Sequence, residues 1–169
     1  MDPEVLATYA LHYETGEPIP QELIAKLENA GTFNQGFRTV EYLAASFLDM
    51  DWHTMTEPNE VDAAAFEAKS MGDIGLMPEI ASRYTSTNFA HVFSSNGYSS
   101  GYYSYIWAEV LDADAFQAFK EAGLFNQELA AKFRKHVLSR GSNDMMAQYI
   151  KFRGAEPKVE ALLERRGLK

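Results

Sequence analysis

Between Asn88 and Trp107 the chain reads Asn88-Phe89-Ala90-His91-Val92-Phe93, a polar Ser94-Ser95-Asn96-Gly97 loop, then Tyr98-Ser99-Ser100-Gly101-Tyr102-Tyr103-Ser104-Tyr105-Ile106-Trp107. Four tyrosines fall within eight residues, with Gly97 and Gly101 flanking the first. A phenol ionises near pH ~10, so at neutral pH each hydroxyl is a proton-bearing donor, and a neutral imidazole at His91 is another. Donors aimed at an oxygen that gains negative charge, as in acyl transfer, contribute about 3 kcal/mol each. Glycines beside them let the backbone approach a ligand closely.

For these groups to act together the chain must bring them to one edge. At about 100° per residue Tyr102 and Tyr105 share a helix face, and Tyr103 and Trp107 point elsewhere. Tyr98 joins that face if the helix extends back to it. The competing reading is structural: aromatic residues at helical spacing are commonly core, and a lone histidine after Phe-Ala is commonly a satisfied structural group. Spacing alone leaves both open.

The elements that would position this edge are helical throughout. Asp2 is an N-cap with Pro3 at N1, and the first helix runs towards Tyr13 until Gly16-Glu17-Pro18-Ile19-Pro20 breaks it. Pro20 opens a second helix through Leu27 to Gly31. A third spans Asn34 to Asp51, its apolar face formed by Phe37, Val40, Leu43, Ala44, Phe47 and Leu48. After a loop from His53 to Glu60 containing Pro58, Asp62 caps a helix through Met71. Gly72, Gly75 and Pro78 mark its end, and one or two short helices occupy Ile80 to Phe93. A long helix follows from Ser99 to Ala122, stopped by Gly123. Helices from Asn126 to Arg140, Asp144 to Arg153 and Pro157 to Arg166 complete an all-α unit of about eight or nine helices. No internal repeat and no linker long enough to divide it are evident.

The 169 residues carry 24 acidic and 15 basic side chains, a formal net charge of -9. Repulsion from phosphates argues against nucleic acid or an anionic membrane as partner. Arg165-Arg166 reads as favourable charge at a helix C-terminus. The absence of cysteine removes disulfides, thiolate nucleophiles and thiolate ligands. No apolar run approaches the ~20 residues of a membrane helix. Met1-Asp2-Pro3-Glu4 shows no basic start and no apolar core, so the cytoplasm is the default expectation.

The run Phe89 to Val110, above all His91-Val92-Phe93, Gly97-Tyr98 and Gly101-Tyr102-Tyr103-Ser104-Tyr105-Ile106-Trp107-Ala108-Glu109-Val110, closely resembles the substrate-binding segment of the zinc metallopeptidase family of thimet oligopeptidase, neurolysin and the bacterial peptidyl-dipeptidases. His12 to Pro20, Phe33-Asn34-Gln35-Gly36-Phe37, Leu48-Asp49-Met50-Asp51-Trp52-His53 and Lys151-Phe152-Arg153-Gly154 also resemble its bacterial branch. The resemblance covers essentially the whole chain and ends at the family's usual C-terminus. It implies an all-helical portion of a lobe that walls a peptide-binding channel.

By that resemblance Tyr105 is the oxyanion donor and His91 a hydrogen-bonding partner of substrate near the scissile bond. Tyr98, Tyr102 and Gly97 belong to a flexible substrate-binding loop in which Tyr98 closes on the ligand, while Tyr103 and Trp107 pack inside. The family's zinc is held elsewhere. No His-Glu-x-x-His is present, none of His12, His53, His91 and His136 has a histidine at i+4, and no metal ligand is assigned to this chain. The segment between His91 and Tyr98 is one residue longer than usual, with Ser94-Ser95-Asn96 where glycines are commoner. His12 and His53 read as core or surface histidines and His136 as solvated. Glu109, Asp112 and Asp114 could suggest paired acid–base groups but read more simply as charge on an exposed helix face.

Three readings follow. The first is a truncated piece of the metallopeptidase, inactive alone, whose partners are short peptides and the missing zinc-bearing region. Its start at Met1-Asp2-Pro3 would fall just after that region, and surfaces meant for the missing part would promote self-association. The second is a stand-alone peptide-binding module, and the third a helical protein without a ligand.

Overall fold

The computed structural model describes residues 2–57 and 60–169; Pro58, and with it part of the expected His53–Glu60 loop, lies outside the described residues, as does Met1. Within them the chain is all-α: α1 (Pro3–Leu6), α2 (Gln21–Thr32), α3 (Gln35–His53), α4 (Ala63–Asp73), α5 (Ala90–Phe93), α6 (Ser104–Ala122), α7 (Gln127–Phe133), α8 (Met145–Arg153) and α9 (Glu160–Arg165), with a 3₁₀ turn at Ser86–Asn88 and a π-helical turn at Arg134–Leu138. No described helix is long and apolar enough to cross a membrane. The chain divides into two compact units, one of Met1–Phe33 with Glu109–Lys169 and one of Asn34–Ala108.

In the first unit Asp2 caps α1 as expected, its Oδ1 accepting from the Glu4 and Val5 amides at 3.0 and 3.4 Å. The helix ends at Leu6 rather than near Tyr13. Beyond it Leu11 and Pro18 form an antiparallel bridge, with His12 N–H donating to Glu17 O at 2.8 Å and Ile19 N–H to Ala10 O at 3.0 Å. Gly16, at φ +70°, supplies the left-handed residue that this tight reversal needs. The Asn126 to Arg140 segment starts at its expected cap, Asn126 Oδ1 accepting from Leu129 N–H at 2.9 Å, but α7 widens into the π turn after Phe133.

The core of this unit joins Ala115 and Ala118 of α6 to Tyr149 and Phe152 of α8, with Phe119, Leu129 and Phe133 packed around them. One acidic side chain lies inside it. Asp114 is 3% exposed, and its Oδ2 accepts from the Tyr149 hydroxyl at 2.7 Å and from Arg153 Nε at 3.2 Å. The expectation of charge on an exposed helix face is therefore corrected at Asp114 and holds for Asp112 and Glu109, whose side chains are 69% and 45% exposed. Asp114 is a buried crosslink, Asp112 pairs with Arg165 at 2.6 Å, and Glu109 pairs with Arg166 at 2.5 Å. These arginines do more than complement a helix end: they tie α9 to α6. His136 is half-buried rather than solvated, its Nδ1 3.2 Å from Gln148 Oε1.

In the second unit α3 is the central element. Its buried residues are Ala44, Ala45, Ser46, Leu48 and Asp49. Of the expected apolar face, Ala44 and Leu48 are buried, whereas Phe37, Val40 and Phe47 are exposed at 44%, 39% and 49%. The burying face is turned towards Tyr42, Ala45 and Asp49 because Phe89, Val92 and Tyr102 pack there. α3 is thus apolar on two sides, one of them uncovered. Asp62 caps α4 through its Oδ1, which accepts from the Ala64 and Ala65 amides at 2.9 and 3.1 Å. α4 meets α3 where the rings of Trp52 and Phe66 lie 4.0 Å apart and Ser70 Oγ donates to Asp51 Oδ2 at 2.5 Å. Glu67 of α4 reaches the 3₁₀ turn, accepting from Ser86 N–H at 2.6 Å, while Trp52 Nε1 donates to Ser86 Oγ at 3.0 Å.

Removing Asp114 takes the buried acceptor from Arg153 Nε and from the Tyr149 hydroxyl, leaving Glu121 to the guanidinium and only Leu111 O, at 3.2 Å, to the phenol. Asp114→Ala should lower the unfolding free energy by about 3 kcal/mol, whereas Asp112→Ala, at a side chain 69% exposed, should unfold close to wild type. Urea denaturation of the two variants side by side checks this, and equal losses would show that Asp114 is no crosslink.

Candidate functional site

All five residues singled out for the site lie in the second unit, on α5, on the loop after it and on the first turn of α6. α6 begins at Ser104, five residues later than expected, so neither Tyr98 nor Tyr102 is helical. The intervening chain forms a tight turn, with Gly101 N–H donating to Tyr98 O at 2.8 Å and Ser100 held at φ +56°. A Cβ on Gly101 would stand 3.3 Å from that carbonyl oxygen, so glycine suits the close approach. Ser99 Oγ donates to Val92 O at 3.0 Å and ties the loop back to α5. Gly97 lies at the exposed tip, its N–H donating to Ser95 Oγ at 3.3 Å.

The turn brings the rings together although the helix does not. His91 and Tyr98 have centroids 6.2 Å apart, Tyr98 and Tyr105 5.4 Å, Tyr105 and Tyr102 5.4 Å, and Tyr102 and His91 5.8 Å, which closes a circuit of four rings. Tyr98 and Tyr105 are stacked at an interplanar angle of 8°, and the other three contacts are steeply inclined. His91, Tyr98 and Tyr105 are exposed, and Tyr102, 3% exposed, is the floor beneath them. Tyr103 and Trp107, expected to pack inside, are 50% and 41% exposed in this chain, while Tyr102 points inward.

Three residues not foreseen as part of the site support this floor. Tyr84 stacks on Phe89 at 4.9 Å and lies 5.1 Å from the His91 ring. Tyr42 of α3 donates its hydroxyl to Tyr102 O and accepts from Ile106 N–H at 3.4 Å, so it occupies an otherwise orphaned first-turn donor of α6. Seven residues on, on the same face of α3, Asp49 is fully buried. Its Oδ1 accepts from Ser100 N–H at 3.0 Å and its Oδ2 from Tyr102 N–H at 2.9 Å. His53, one turn further, places Nδ1 2.8 Å from Asp49 Oδ1 and 2.8 Å from the Asp49 carbonyl oxygen. The sequence signal for Asp49 is an acid set among Ala44, Ala45 and Leu48 with a histidine at i+4.

The surroundings of Tyr105 and Tyr102 favour their protonated phenols. A hydrogen bond with the Tyr98 phenol holds Tyr105 above the ordinary tyrosine range. Burial pushes Tyr102 up to about 12, with the Arg83 guanidinium opposing it. At neutral pH this face therefore presents phenolic hydrogen-bond donors. Among the described residues no three side chains of the His, Asp or Glu type are grouped to hold a metal ion. A tyrosine whose folded pKa is raised contributes stability that is complete below the unfolded value and is lost as pH climbs through the folded one. Stability should therefore fall between pH 10 and about 12, and tyrosinate absorbance at 295 nm should develop late for Tyr102. Replacing it in Tyr102→Phe should remove the latest-rising component contributed by this unit, and an unchanged titration would contradict the burial argument.

The sequence pattern of peptidase family M3 matches residues 1–168. The chain is 41% identical over 169 residues to the dipeptidyl carboxypeptidase of Escherichia coli strain K12, covering 98% of this chain and 25% of that protein. It is 38% identical over 172 residues to oligopeptidase A of the same organism, covering 99% of this chain and 25% of that protein. Saccharolysin of Saccharomyces cerevisiae is 31% identical over 170 residues, covering 96% of this chain and 23% of that protein. The chain thus spans about a quarter of the length of the curated relatives it matches. With a match that runs through α1 to α9 and takes in the whole ring circuit, the chain belongs to peptidase family M3.

Proposed function

We propose that this chain is the C-terminal, substrate-binding portion of the catalytic domain of a zinc metallopeptidase that hydrolyses short peptides, of peptidyl-dipeptidase or oligopeptidase type. The observation that carries the reading is the circuit of His91, Tyr98, Tyr105 and Tyr102, which sets an imidazole and two phenols on one exposed face over a buried aromatic floor. In this reading His91 donates to a substrate carbonyl near the scissile bond. Tyr105 donates to the oxygen that gains charge as that carbonyl is attacked, where a hydrogen bond strengthens on the way to the transition state. Tyr98 and Gly97 belong to the loop that meets the peptide, and Tyr102 holds Tyr105 and His91 at their spacing.

In this reading the zinc of such an enzyme would be held by residues outside this chain, whose sequence has no His-Glu-x-x-His. When bound there, it would supply Lewis-acid chemistry to the same carbonyl. The partners of this chain are then short peptides and the metal-bearing region of the same enzyme. The uncovered side of α3, with Val40, Phe47 and Met50, is the surface left without its cover when that region is missing.

Titration of the chain with short peptides should give saturable binding that Tyr105→Phe weakens about fivefold, the equivalent of ~1 kcal/mol. Binding that is absent, or indifferent to both Tyr105→Phe and His91→Ala, would remove the peptide-binding role. The purified chain should leave a bradykinin-like peptide uncut and retain no stoichiometric zinc by metal analysis; one zinc per chain with cleavage would overturn the division of labour proposed. Sedimentation should show self-association that Phe47→Glu relieves, and a monomer at all concentrations would argue for a stand-alone peptide-binding module instead.

A further inference from the structure

We infer that Asp49 is the positioning residue of the ring circuit: its buried carboxylate clamps the backbone of the turn at Ser100 and Tyr102, and through that turn sets the spacing of Tyr98, Tyr105 and His91. The inference deepens the peptide-binding reading above and rests on it for its functional part.

Three observations converge on this. First, Asp49 is 0% exposed, and both its oxygens are committed to amides outside any helix, 3.0 Å from Ser100 N and 2.9 Å from Tyr102 N. A buried carboxylate is costly unless hydrogen-bonded, and only a group with acceptors on two oxygens can hold two such amides and a histidine together. An asparagine could accept with one oxygen but would turn a second donor against the other amide. Second, Ser100 sits at φ +56°, a region a serine enters at a cost and keeps when its surroundings over-determine it. The clamp on Ser100 N–H and the Gly101-to-Tyr98 hydrogen bond do so from both sides. Third, Tyr102 is gripped at both ends of its residue, the amide by Asp49 and the carbonyl by Tyr42 from the same face of α3. Its ring is therefore fixed in the core while Tyr98, two residues before Ser100, is delivered onto Tyr105. The hydrogen bonds of Asp49 to this loop go to backbone amides, so it acts on the rings through the turn.

The test uses the full chain. In the wild-type protein the Ser100 and Tyr102 amides should exchange with solvent as slowly as helical amides of α3, although neither lies in a helix. Asp49→Asn, in material whose α7 and α8 amides exchange as in wild type, should speed exchange across residues 98–103 by about tenfold or more. It should also abolish the nuclear Overhauser contacts between the Tyr98 and Tyr105 rings and weaken peptide binding. His53→Ala should shift all three readouts less and in the same direction. Rapid exchange at Ser100 and Tyr102 in wild type, or ring contacts that survive in folded Asp49→Asn, would overturn the inference. So would a loosened loop that binds peptide as tightly as wild type. If the wild-type chain bound no peptide, the reading of function would fail, while exchange and ring contacts would still decide whether Asp49 is the clamp.

Discussion

A carboxylate buried in the last turns of α3 governs the arrangement of the second unit. Burying Asp49 without partners would be prohibitive, so the loop after α5 must bring amides to it, and those of Ser100 and Tyr102 answer. With those amides held, the loop stays outside the helix up to Ser104, where α6 begins, and Tyr102 points inward. The exposed rings take their places as a consequence. Hydrophobic burial of Phe89, Val92 and Tyr102 against Ala45 supplies the attraction, and the hydrogen bonds choose which compact arrangement is reached.

The first unit solves its packing in the same manner. Asp114 sits inside a helix-to-helix contact and takes a phenol and a guanidinium from α8. In each unit one acid on a long helix accepts donors from another segment, and in each the acid lies among alanines that let that segment approach. The two differ in what they hold: Asp114 holds side chains and joins two rigid elements, whereas Asp49 holds backbone and shapes an irregular one.

Much of this could be read from residue order. Caps at Asp2, Asp62, Asn126 and Asp144 all lie where short polar side chains precede apolar runs, because capping is decided within one turn of chain. His91, Tyr98, Tyr102 and Tyr105 were legible as a group from their chemistry and from resemblance. What eluded sequence reasoning depends on distant partners. The late start of α6 is set by Asp49, roughly 50 residues upstream, and helical periodicity by itself favours continuing back to Ser99. Likewise the orientation of α3 could not follow from its own pattern, since apolar residues lie on two of its sides.

The hold on the loop is made through peptide N–H groups, and every amino acid except proline carries one. Side chains at the tip, from Ser94 through Gly97, can therefore be exchanged in the course of divergence without releasing the turn that follows. Constraint and adaptability are separated along a dozen residues: the clamped segment keeps the rings in register, and a permissive tip is free to drift.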